Sequence, residues 1–209
     1  MKRTIIALLL LTAATNIQAQ HNQKGFSLIP RIGINASKTT DHQYWGELLS
    51  RGSSRNNHKT DCKLGYVFGI DADYAYGSRL STTLGLSYSS EGFCLDSTFE
   101  DQTEYLNFVN LSLLESFYVL PGFALKAGLQ YGYLESAKIK DKLRGESRTR
   151  SNKEGYYTTN FSIPIGLSCE YKNFILDLRY NIGISNIYEY ADDYRTQSLW
   201  LTLGYRFNL

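Results

Sequence analysis

Strict two-residue alternation, repeated in block after block, constrains this chain more than any other feature. Phe26, Leu28, Pro30, Ile32, Ile34 and Ala36 fall on one side of an extended segment, opposite Ser27, Arg31, Gly33 and Asn35. Leu64 to Tyr76, Leu80 to Tyr88, Phe123 to Tyr133, Phe161 to Tyr171, Phe174 to Ile184 and Leu199 to Leu209 repeat the pattern. Each block is a strand with one greasy face and one face of Gly, Ser, Asn and charge. A weaker block at Tyr105–Tyr118 brings the count to eight; there Glu115 falls on the apolar side with Val109, Leu111, Leu113 and Phe117. Either a bulge or a different register is expected at that point. The polar faces carry too much Gly and charge for the core of a sandwich, so the greasy faces are expected to meet lipid.

The connections support the same choice. Gly77-Ser78, Leu120-Pro121-Gly122 and Lys172-Asn173 are tight turns, whereas residues 37–63, 92–104, 137–155 and 185–196 are long and polar. Short turns at one end and long loops at the other are the layout of an outer-membrane barrel. The predicted fold is therefore all-β: an eight-stranded antiparallel up-and-down transmembrane β-barrel. Residues 1–19 read as a cleaved signal peptide and residues 20–209 as the barrel domain. Lys2 and Arg3 begin that leader, and the apolar run Ile5–Leu11 is too short for a membrane helix, which needs roughly 20 residues. Removing the leader takes Lys+Arg from 22 to 20, equal to the 20 Asp+Glu, so no global charge attracts nucleic acid. With 17 Tyr and 10 Phe against one Met, the chain also has the aromatic supply for interfacial girdles.

Several stretches resemble the PorT-family outer-membrane barrels of the Bacteroidetes type. They are Arg31-Ile32-Gly33-Ile34-Asn35, Asn110 to Tyr118, Gly122 to Gly128, and Leu178 to Ile187. Ser112 and Glu115 depart from that pattern, where Pro and an apolar residue are usual. The resemblance implies an OmpA/OmpX-like barrel of a Gram-negative cell envelope and makes secretion-machinery proteins possible partners. The C-terminal octet, with Thr202, Gly204, Phe207 and Leu209 at its marked positions, also resembles the signal read by the barrel-assembly machinery.

The candidate site residues lie on the polar faces. Arg31, Asp71, Asp73, Lys126, Glu170, Asp177, Arg179 and Arg206 are predicted to point inward and to pair, because an eight-stranded lumen is just wide enough for side chains to fill. They make a polar plug, so no open pore is expected. Counting from Tyr76 opposite Arg79, Cys62 and Cys94 fall one residue out of register, and a small bulge between them makes a disulfide at the outer rim a candidate. Cys169 is placed toward lipid.

Catalysis has weak support. His21 adjoins the leader, and His42 and His58 sit in the first long loop with Asp41 and Asp61, but no serine is set up as an activated nucleophile. No catalytic, cofactor-binding or metal-ligating residue is assigned. A barrel enzyme acting on lipid A or peptides and a narrow channel are the alternatives. The second long loop carries Glu91, Asp96, Glu100, Asp101 and Glu104. The third carries seven basic residues, Lys138, Lys140, Lys142, Arg144, Arg148, Arg150 and Lys153, against three acids. The two loops are expected to pair with each other, or the basic one to meet lipopolysaccharide phosphates or an acidic partner. The expected protein is non-enzymatic and monomeric. It sits in the outer membrane, with the bilayer, lipopolysaccharide and the assembly machinery as partners and no cofactor.

Overall fold

In the computed structural model, residues 25–40, 59–97, 100–143, 146–151, 153–188 and 194–209 are described. The predicted leader and the three histidines lie outside them. The elements in chain order are β1 (Gly25–Thr40), β2 (Lys59–Ala75), β3 (Leu80–Ser97), β4 (Glu100–Leu120), β5 (Phe123–Leu143), β6 (Glu146–Ser151), a short 3-10 turn, β7 (Thr159–Tyr171), β8 (Phe174–Gly183), β9 (Arg195–Tyr205) and β10 (Phe207–Asn208). Neighbours in sequence pair antiparallel, and the sheet closes because β9 pairs with β1 from Arg31↔Gly204 to Thr40↔Arg195. β10 continues that seam past Arg206, with Ser27↔Asn208 and Leu28↔Phe207. β6 pairs with β5 alongside this ring, so eight strands make the wall. Closure removes every sheet edge within the bilayer, where no water satisfies exposed backbone groups.

Alternation sorts the side chains as the sequence predicts. Ile32, Leu84, Leu129, Ile165, Leu178 and Leu201 are exposed on the outside, while many Ser, Thr, Asn and charged residues are buried within. An apolar exterior around a polar interior is stable in lipid and untenable in water. Aromatics collect near both ends of the band: Tyr74 and Tyr76 stack edge-on at 5.2 Å beside one short turn, and Tyr66, Phe68 and Tyr88 stack near the opposite end.

Three sequence expectations change. The first turn spans Tyr76 to Arg79, closed by the Tyr76 N–H donating to the Leu80 carbonyl at 3.0 Å, and sets Ala75 opposite Ser81 rather than Tyr76 opposite Arg79. The weak fourth block has neither a bulge nor a different register at Glu115: Val109, Leu111, Leu113, Glu115 and Phe117 all face outward. Two of the predicted long loops are largely strand. β3 and β4 pair out to Ser97↔Glu100, and β4 and β5 pair out to Asp101↔Lys142, beyond the roughly 9–11 residues a membrane strand needs. The acidic and basic loops are thus neighbouring strands of one projecting sheet. Gly122, with φ of 77°, makes the second turn, and Lys172, with φ of 55°, the third.

Candidate functional site

All eight predicted lumen charges point inward and are buried. They form two separate networks. In the upper one Asp177 is the hub: Lys126 Nζ donates to Asp177 Oδ2 at 2.7 Å, Arg179 Nε lies 3.4 Å from Oδ1, and Arg31 Nη1 lies 3.9 Å from the same oxygen. Arg31 also pairs with Asp71. In the lower network Arg206 is the hub. Its Nη1 donates to Asp73 at 2.7 Å, its Nε and Nη2 grip Glu170 at 2.9 and 3.1 Å, and its Nη2 reaches the Tyr118 hydroxyl at 3.3 Å. Thr83 donates to the other Asp73 oxygen at 2.6 Å. A fork of this kind holds a carboxylate in fixed geometry. Gly85 leaves the room Asp71 needs, since a Cβ there would lie 2.5 Å from Asp71 Oδ1.

Sequence reasoning missed a third cluster. Glu91, read as part of an acidic loop, lies in β3 and turns into the lumen. Ser89, Ser198 and the Trp200 indole all donate to its Oε1, at 3.1, 3.2 and 3.2 Å. Lys63 donates to the Glu91 carbonyl at 2.8 Å, with its ammonium 3.9 Å from the centre of the Tyr105 ring. Two signals were available: Glu91 shares the inward parity of Ser87 and Ser89, and Trp200, a large aromatic on the polar face of the last strand, calls for a partner for its N–H.

An apolar cluster lies on the outer-loop side of this site. Leu106, Phe108, Leu134, Ala137, Tyr156 and Ile187 form a buried cluster, with Tyr188 and Tyr194 against it. Backbone bonds tie its segments together: Tyr157 N–H to the Ile187 carbonyl at 3.0 Å, and Ile187 N–H to the Tyr194 carbonyl at 2.8 Å. The Tyr156 hydroxyl donates to Glu104, and burial first, then that carboxylate, raises the phenol well above its usual range.

The disulfide expectation is corrected. Register places Cys62 opposite Phe93 and Cys94 opposite Asp61, and Cys62 is an exposed free thiol. The expected bulge exists, between Cys62 and Val67, but it acts the other way. Below it the strands pair in the register that would have set Cys62 against Cys94, and the bulge moves them one residue apart. Cys169 is half-buried and free.

At the outer rim, Lys138 and Arg150 are exposed, and Lys153 holds its ammonium 5.4 Å from the centre of the Tyr133 ring. The C-terminal residues close the seam: Phe207 and Leu209 are exposed outside, Thr202 and Gly204 face inward, and the Leu209 N–H donates to the Phe26 carbonyl at 3.0 Å.

No helix among the described residues is long and apolar enough to cross a membrane. Residues 18–189 match the family described as outer membrane protein beta-barrel domain. Among solved structures, the attachment invasion locus protein Ail of Yersinia pestis, in complex with the heparin analogue sucrose octasulfate, is 20% identical. The match covers 88% of this chain and all of that one, at a TM-score of 0.50. The outer membrane protein OprG from Pseudomonas aeruginosa is 12% identical over 92% of this chain and all of that one, at a TM-score of 0.44. At 20% identity the likeness to Ail speaks to fold alone. No curated protein matches. A closed wall of eight antiparallel strands, apolar outside and ion-paired within, agrees with that family match over most of the chain, and the protein belongs to the outer membrane beta-barrel domain family, in the outer membrane.

Proposed function

We propose that this is a non-enzymatic outer-membrane protein with a plugged lumen, which acts through its outer rim by contact with lipopolysaccharide. The observation that carries the reading is the pair of buried charge networks in the lumen. An ion path needs groups that bind weakly and release. Asp177 and Arg206 instead hold their partners at hydrogen-bond distance on several sides. The void beside Arg31, Lys126 and Asp177 is about 10 Å³, close to the least that holds one water. The enzyme alternative rests on His42 and His58, outside the described residues.

The rim reading rests on charge and position. Lys138, Arg150 and Lys153 gather where β5 and β6 leave the band, and Lys153 sits beside an aromatic of the girdle. Lipopolysaccharide phosphates lie at that depth on the outer face, and clustered ammonium and guanidinium groups meet them well.

Two measurements test the two halves. In planar bilayers the purified protein is expected to give no stepwise conductance; reproducible unitary steps would overturn the plug. A photocrosslinker placed at Lys140 in intact cells is expected to capture lipopolysaccharide. Capture of a secretion-machinery protein instead would favour the role that the PorT-like stretches suggest, and would overturn the lipopolysaccharide reading.

A further inference from the structure

Glu115 is a carboxylate on the lipid-facing side of the barrel, and its surroundings are ordered around it. Register sets Tyr74, Thr82, Glu115 and Ala127 in one row across β2 to β5. The row above is Ala72, Leu84, Leu113 and Leu129, and the row below is Leu80, Phe117 and Leu125 on β3 to β5. Between rows that are large and apolar on β3 to β5, the small side chains of Thr82 and Ala127 leave a shallow notch on either side of the exposed carboxylate. The Thr82 hydroxyl donates to Glu115 Oε1 at 2.6 Å and itself meets the Tyr76 hydroxyl at 2.9 Å. Oε2 accepts no hydrogen bond among the described residues. Polar groups thus run from Tyr76, in the first short turn, up to a carboxylate that would otherwise face hydrocarbon at a cost.

We propose that Glu115, with Thr82 and the rings of Tyr74 and Tyr76, binds the ammonium of a phosphatidylethanolamine headgroup in the leaflet at the short-turn end. A carboxylate beside aromatic faces is a cation site, and an ammonium supplies the donor that Oε2 lacks. The notch is one side-chain row wide, with its walls two residues apart on each side, or roughly 13 Å between backbones that large side chains narrow further. A lipid headgroup and its chains fit such a slot, whereas a packing helix is about 10–12 Å across with its side chains. A second copy of this chain would bring a second carboxylate against the first, which like charge disfavours.

Native mass spectrometry of the full-length protein, after equilibration with phosphatidylethanolamine and phosphatidylglycerol of matched acyl chains, tests this. The wild type is expected to retain phosphatidylethanolamine about fivefold over phosphatidylglycerol, the scale of one exposed ion pair. Glu115→Gln is expected to abolish the preference, and Thr82→Val to reduce it. Retention of both lipids alike by the wild type, or an unchanged preference in Glu115→Gln, would overturn the proposal. So would loss of a co-purifying membrane protein on Glu115→Gln with lipid ratios unchanged. Both variants leave the lumen networks intact, and the gel mobility of the folded barrel confirms folding in each.

Discussion

Replacing Asp177 with alanine is expected to destabilise the folded barrel by about 3–5 kcal/mol, the cost of breaking a buried ion pair by removing one partner. Asp177 neutralises Lys126, Arg31 and Arg179, all buried. Without it only Asp71 remains against three cations in the upper network. Asp73 and Glu170 of the lower network give only limited relief, since Arg206 holds both at hydrogen-bond distance. Urea unfolding in detergent, followed by the gel mobility shift between folded and unfolded barrel, measures the effect. Asp177→Asn is expected to cost nearly as much, because the amide keeps the shape but not the charge. The pair Asp177→Ala with Lys126→Met is expected to recover part of the loss, since one stranded cation goes with its partner. An Asp177→Ala barrel as stable as the wild type would show that the hub is not what holds the lumen charges.

Deleting Phe207–Leu209 is expected to reduce the outer-membrane level by an order of magnitude or more. These residues complete the seam: Phe207 pairs with Leu28, Asn208 with Ser27, and Leu209 bonds back to Phe26. The Ser27 hydroxyl donates to the Asn208 side chain at 3.1 Å within the same seam. Losing them exposes backbone on β1 at the short-turn end, and it removes the residues that resemble an assembly signal. Fractionation and immunoblotting of the truncated chain check this. Normal outer-membrane levels would show that the seam above Arg206 suffices and that these residues are not read during assembly. Keeping Arg206 in the truncation matters, because its loss would strand Asp73 and Glu170 and confuse closure with charge burial.

Much of the site was legible because facing in a strand depends on parity alone. Arg31, Asp71, Asp73, Lys126, Glu170, Asp177, Arg179 and Arg206 could all be placed inside without knowing which strand lay beside which. Glu91 escaped that logic. It keeps the inward parity of Ser87 and Ser89, but it lies where alternation lapses, in a run of five buried residues from Ser89 to Phe93, and so reads as the start of a loop rather than as strand. Gly92, with φ of 148°, lies in the same stretch. The projecting parts of β3, β4 and β5 were likewise read as loops, because outside the bilayer a strand needs no greasy face and loses its alternation signal.

The sequence by itself determined an all-β barrel, the sorting of each strand's residues between lipid and lumen, and the set of charges the lumen must neutralise. All of these follow from a period of two and from the need to match apolar faces to lipid. Only the tertiary structure decided which charges meet, that Cys62 stands against Phe93, that Glu91 is held by Trp200 from the other side of the barrel, and that Glu115 stays outside in a notch. Those outcomes depend on turn length, bulge position and the closure of β9 on β1. A one-residue change in any of them moves every partner along a strand while leaving the local pattern untouched.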